Sequence, residues 1–190
     1  MDTRKLITVT AIRLFKECGY ENVSIPMICK DAKVSKGTFY YHFQSKKEII
    51  YEHIEDFMTG YTDILPDMLA LSSPKEQLWK LYEFSFQNII SMNPNLLRAF
   101  YTIDIEDGLK QFSPSKGYTF GYHTNTFMKL TKSLVEKAQK CGEITKKVSS
   151  ENLILCYSSV IIGTGLDWAC QNGSFNEIER LKILFDIVFC

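Results

Sequence analysis

No stretch of this chain reads as a β-strand, and its five prolines fall at helix starts, at one kink or in one polar segment. No apolar run approaches the roughly 20 residues that cross a bilayer, which argues against a membrane protein. The opening MDTRKLITVTAIRLF is amphipathic and broken by Arg13 and Lys16, with no continuous apolar core or small-residue cleavage site. On that ground no signal peptide is expected, and a cytoplasmic location is. Histidine is scarce: His42, His53 and His123 are scattered along the chain. The six cysteines, at 18, 29, 141, 156, 170 and 190, form no CxxC and no Cys/His pair at metal spacing, so neither metal nor cofactor is expected. Cys156 and Cys170 lie about 21 Å apart along one predicted helix and cannot bridge within it. Reduced, partly buried thiols are the simplest reading, and a redox sensor has no specific support. Without a nucleophile elbow, a phosphate loop or a ligand set, an enzyme is not expected.

Net charge is also missing, with 22 basic and 22 acidic side chains, but the two signs are segregated. Residues 1–47 hold nine Lys and Arg against four acids, and residues 48–190 hold thirteen against eighteen. A basic head on an acidic body suits a protein that meets phosphate with one end.

What is present is helix punctuation. Thr3 to Cys18 reads as a helix stopped by Gly19. Ser24 can cap a short helix to about Ala32, with Pro26 in its first turn, where a missing N–H costs little. Ser35 can cap a second short helix to about His42. Two short helices across a tight turn form a helix-turn-helix, whose second helix enters the DNA major groove. That second helix, SKGTFYYHF, has only Phe39 and Phe43 as plain apolar anchors. Lys36 can donate to guanine or phosphate, and Thr38 offers a hydroxyl and a methyl to a base edge. Tyr40, Tyr41, His42 and Lys46 suit phosphate oxygens, and Gly37 lets backbone approach closely.

Downstream, capping boxes at Ser45–Glu48, Ser73–Glu76 and Ser174–Glu177 open helices, and Asn93-Pro94 opens another. Pro66 kinks or ends the first of these, and Asp104–Lys116 reads as a loop. Long helices follow from about Tyr118 to Cys141 and from Ser149 or Ser150 to about Asn172. The result is an all-α chain of about nine helices: a helix-turn-helix unit over 1–47 and a larger bundle over 48–190.

The chain resembles the tetracycline-repressor-like (TetR) transcriptional regulators. The resemblance rests on Ile7, Ala11, Leu14, Phe15, Gly19 and Tyr20, then on Val23, Ser24, Ile28, Ala32, Val34 and Ser35. It continues through Gly37, Thr38, Phe39, Tyr40, Tyr41, His42, Phe43, Ser45 and Lys46. It covers about the first quarter of the chain, and beyond residue 60 only length and helical layout match. Lys33 departs from the pattern by standing where such proteins usually carry Gly, at a cost on the order of 1 kcal/mol if φ is positive there.

The resemblance implies a regulator, most simply a repressor, that binds a near-palindromic double-stranded operator as a homodimer and is released by a small organic effector. Base readout would come from the start of the second helix, with Ser24, Lys36, Gly37 and Thr38 beside the phosphate clamps at Tyr40, Tyr41, His42 and Lys46. The resemblance also assigns the last two helices to a four-helix dimer interface, with Tyr157, Ile161 and Gly163 on one and Leu181, Leu184, Phe185 and Val188 on the other. An intramolecular core is the competing use of those positions. Two aromatic stripes, Trp79, Tyr82, Glu83 and Phe86 on one helix and Phe120, His123 and Phe127 on another, serve either as plain core or as a pocket. A pocket of this composition takes an aromatic or lipid-like effector, or a cation if Glu83 faces inward. A helical adaptor that never reads DNA is the remaining alternative.

Overall fold

The computed structural model describes residues 2–111 and 125–190. Among them are ten α-helices and no strand. They are α1 (Thr3–Cys18), α2 (Ile25–Asp31), α3 (Lys36–His42), α4 (Lys46–Thr59), α5 (Leu65–Ala70), α6 (Pro74–Ser91), α7 (Asn93–Gln111), α8 (Asn125–Cys141), α9 (Ser150–Cys170) and α10 (Glu177–Val188). The helix beyond the expected nine is α5, where Pro66 starts a new turn instead of only ending the old one. The expected loop from Asp104 is helical as far as Gln111, since α7 runs through it. Residues 112–116 of that loop, and the expected start of α8 near Tyr118, lie outside the described residues.

Two compact units emerge: Met1–Asp56 with Met92–Gly121, and Phe57–Ser91 with Tyr122–Cys190. The division drawn from sequence fell at 47/48. The physical difference lies in α4 and α7. Ile49 and Ile50 of α4 are fully buried, and α7 lies against α1 and the 3₁₀ turn Tyr20–Asn22.

In the first unit, α1 buries Ile7, Ala11, Ile12 and Phe15, and Gly19 at φ 80° ends it with its N–H on the Phe15 carbonyl. Arg4 fastens α1 to its neighbours. Its Nε donates to Glu52 Oε2 at 2.7 Å, its guanidinium reaches the His42 carbonyl, and it stands 4.3 Å from the Phe43 ring centroid.

The second unit is built on aromatics. Tyr82 and Phe86 of α6, Phe127 of α8, Tyr157 of α9, and Phe185 and Phe189 at the end of α10 share one core. Tyr157 donates its hydroxyl to the Leu181 carbonyl at 3.0 Å, tying α9 to α10. The expected Ser174 cap is not the one used: Asn176 accepts from the Glu179 N–H, while Ser174 bonds Gln171. One composition reading is also corrected. By length and mean hydropathy (1.5), α9 is apolar enough to cross a membrane. Interspersed Ser, Gly and Thr hide that run in the sequence, and its inner face packs in the core through Leu153, Ile154 and Tyr157.

Candidate nucleic-acid interface

The turn between α2 and α3 carries two crossed hydrogen bonds, Val34 N–H to the Cys29 carbonyl (2.9 Å) and Lys33 N–H to the Lys30 carbonyl (3.3 Å). This is the Schellman pattern, which needs a left-handed residue at its hinge. Lys33 occupies that hinge at φ 55°. Ser24 caps α2 by accepting from Met27 N–H at 3.4 Å. Ser35 caps α3 by accepting from Thr38 N–H at 3.0 Å, and the two hydroxyls share a further bond of 2.8 Å. The cap therefore sets the direction of α3 and one rotamer of Thr38 together.

Fixed in this way, α3 turns Phe39 inward, where it is fully buried beside Phe43. The opposite face carries Lys36, Gly37, Tyr40 and Tyr41 into solvent, with Tyr41 84% exposed. Thr38 and His42 are half-buried, and the Tyr41 and His42 rings meet edge to face at 4.9 Å. Gly37 is helical and its φ is ordinary, and an added Cβ would meet only Ser35 Oγ at 3.6 Å. Among the described residues nothing inside the protein requires glycine there.

Lys46 differs from the other expected contacts. Its ammonium donates to the Tyr20 and Val23 carbonyls at 2.7 and 3.2 Å and sits 4.0 Å from the Tyr20 ring centroid. Two of its three donors are thus engaged in joining α4 to the α1–α2 connection.

The remaining candidate residues sort by burial. Tyr157, Leu181 and Phe185, expected at a dimer interface, have no exposed surface and belong to the core of their own chain. Ile161 and Val188 also pack against that core, Leu184 is half-buried, and Gly163 is exposed with open space around it. The side chains that α9 and α10 turn outward are Leu155, Leu166, Ile183 and Ile187. Helix α10 carries two apolar rows, and the expected 181/185 stripe is the inner one. Of the candidate pocket, Tyr82, Phe86 and Phe127 are buried against one another, with Tyr82 6.0 Å from Phe86 and 6.3 Å from Phe127. Trp79 is half-buried, 5.2 Å from Phe185. Glu83 faces Lys80 at 3.6 Å, not the aromatic core. Phe120 and His123 lie outside the described residues.

A buried Phe39–Phe43 anchor, a serine-capped α3 and an outward polar-aromatic face define a helix-turn-helix DNA-binding module. Residues 7–52 match the sequence model described as bacterial regulatory proteins, tetR family. The chain is 32% identical over 121 residues to the uncharacterized HTH-type transcriptional regulator YuxN of Bacillus subtilis (strain 168), covering 60% of this chain and 42% of that relative. The chain thus spans under half of that relative's length. It is 25% identical over 147 residues to IcaR, the biofilm operon icaADBC HTH-type negative transcriptional regulator of Staphylococcus aureus (strain Newman), covering 77% of this chain and 75% of that one. Among solved structures, the fold is shared with FadR of Thermus thermophilus, a TetR-family repressor in complex with lauroyl-CoA, at TM-score 0.64 and 18% identity over 97% of this chain and 92% of that one. It is also shared with the regulatory protein TetR of Rhodobacter sphaeroides, at TM-score 0.66 and 18% identity over 99% of each chain.

Proposed function

We propose that the protein is a transcriptional repressor that binds a near-palindromic operator as a homodimer and releases it when a small organic effector binds. The observation that carries the DNA-binding part is the outer face of α3. Two adjacent exposed tyrosines, an exposed lysine and a glycine with no internal purpose are costly on a merely solvated helix and useful against a duplex. Thr38, rigidified by the Ser35 cap, is positioned to read a base edge, while Tyr41 reaches phosphate.

Support for a dimer comes from the outward rows of α9 and α10. Leu155 and Ile187 are 66% and 63% exposed, beside Leu166, Ile183 and the open Gly163. Exposed apolar side chains in rows on adjacent helices are a liability unless a partner covers them, and a second copy of the same surface is self-complementary. The effector reading rests on the aromatic core of the second unit. There Tyr82, Phe86 and Phe127 would have to part to admit an aromatic or lipid-like molecule, and Glu83, held by Lys80, no longer favours a cation.

The test is selection of duplexes from a randomised pool, followed by titration across salt concentrations. A two-fold-symmetric consensus and a steep fall of affinity with salt are expected, because phosphate contacts release counterions. A flat salt dependence would instead support the adaptor reading.

A further inference from the structure

The turn between α2 and α3 gathers three lysines and pairs none of them. Lys30 lies in the last turn of α2, Lys33 is the hinge, and Lys36 opens α3. All three are exposed. Among the described residues none of them meets a carboxylate. The single acid between Ile25 and Thr38 is Asp31, and the Arg13 guanidinium already holds it. The turn therefore carries uncompensated positive charge.

Lys33 has the least local reason to be a lysine. Three non-glycine residues among those described have positive φ: Lys33 at 55°, Asn93 at 63° and Asn172 at 53°. Asparagine visits the left-handed region readily because its short polar side chain bonds locally, and lysine has no such means. Glycine would satisfy this hinge without strain. Lys30 at least favours the negative end of α2, whereas the Lys33 ammonium bonds no group among the described residues. A strained backbone kept for a side chain that the fold does not use points outside the chain.

We propose that this turn is a phosphate clamp, in which Lys33, with Lys30 beside it, holds the duplex backbone next to the bases that α3 faces. The inference rests on the operator reading and extends its surface from α3 across the turn. Continuity and charge name the occupant. Ser35, two residues after the hinge, caps α3 and fixes Thr38, and the exposed Lys36, Gly37, Tyr40 and Tyr41 follow directly. A lysine ammonium, compact and with three rotatable donors, suits a phosphate oxygen and reads no base. The clamp thus adds affinity on every sequence and leaves base preference to Thr38.

The experiment measures binding of the full chain across a salt series, to the selected two-fold consensus duplex and to a random-sequence duplex of equal length. Lys33→Gln is expected to make the fall of log affinity with log salt shallower by about one, and to weaken both duplexes by the same factor. Lys30→Gln should do likewise. Lys33→Arg keeps the charge and should keep the slope. Lys146→Gln, at an exposed position of the second unit, should leave the slope unchanged and so controls for net charge. Lys33→Gly should lose binding as Lys33→Gln does while its urea midpoint rises, which separates the loss from unfolding. A wild-type slope in Lys33→Gln or Lys33→Gly, or an equal loss in Lys146→Gln, would overturn the clamp while the operator reading stands. A wild-type protein that binds neither duplex, or binds without salt dependence, would defeat the operator reading and the clamp together.

Discussion

Lys46 donates from its ammonium to the Tyr20 carbonyl at 2.7 Å and covers the ring of the same residue at 4.0 Å. Two kinds of contact from one charge make Lys46 a structural residue of the first unit, whatever it also offers to phosphate. Tyr41, by contrast, has almost no contact to lose. Lys46→Ala should therefore lower unfolding free energy by about 1–2 kcal/mol, since two charge-assisted bonds go. Tyr41→Ala should stay within about 0.5 kcal/mol of wild type. Both should weaken DNA binding on all sequences alike, which urea unfolding and duplex titration measure side by side. Unchanged DNA affinity in a folded Tyr41→Ala protein would remove α3 from the interface.

Gly37 gives the sharper separation of stability from function. Alanine there meets only Ser35 Oγ at ordinary contact distance, and alanine exceeds glycine in helix propensity by up to about 1 kcal/mol. Gly37→Ala is expected to raise the urea midpoint slightly while reducing duplex affinity, because the methyl occupies space the backbone of α3 leaves for DNA. Equal affinity of the two proteins would show that nothing approaches Gly37 closely.

Lys33 stands at φ 55° in the α2–α3 turn, a region where a side chain costs about 1 kcal/mol relative to glycine. Lys33→Gly should relieve most of that strain, and chain entropy in the unfolded state gives part of it back. The expected net gain is a few tenths to about 1 kcal/mol by chemical denaturation. A loss of stability would mean that the lysine side chain makes a compensating contact.

Much of this was legible in sequence because local chemistry determines it. Ser24 and Ser35 announce their caps, Gly19 its stop, and Phe39 and Phe43 the inner face of α3. Phase relative to a core was harder to read. Leu181 and Phe185 and the outward Ile183 and Ile187 lie on the same short helix, and only the partner α9 decides which row is inside. The same holds for Lys46, whose acceptors on Tyr20 and Val23 are more than twenty residues away. Helix α7 carries no cue that it joins the first unit, because its contacts with α1 are wholly tertiary.

The two rows on α10 predict opposite phenotypes. Ile187→Glu with Leu155→Glu alters exposed positions only, so the chain should stay helical while sedimentation shows a monomer that no longer binds the operator. Phe185→Glu puts a charge into a fully buried site, costing several kcal/mol, and should unfold the second unit at any oligomeric state. A folded, dimeric Leu155→Glu, Ile187→Glu protein would refute the interface.

Glu177 makes stability depend on pH in an unusual direction for an acid. It is 3% exposed at the start of α10, and its Oε2 has no hydrogen-bond partner among the described residues. Burial pushes its pKa up from 4.5 to about 7. Each unit is worth about 1.4 kcal/mol, so the shift outweighs the several tenths that the positive helix terminus returns to the ionised form. Below pH 4.5 both folded and unfolded chains carry the proton and no penalty arises. Between 4.5 and about 7 the unfolded chain releases its proton and the folded one keeps it, so stability falls as pH rises through that window. The total loss is on the order of 3 kcal/mol, complete above the folded pKa. Glu177→Gln abolishes the ionisation, so the variant should match wild type near pH 4 and exceed it near pH 8 in guanidinium unfolding of the full chain. A constant difference between the two proteins across that range would show that Glu177 titrates alike in the folded and unfolded chains, with no shift from burial.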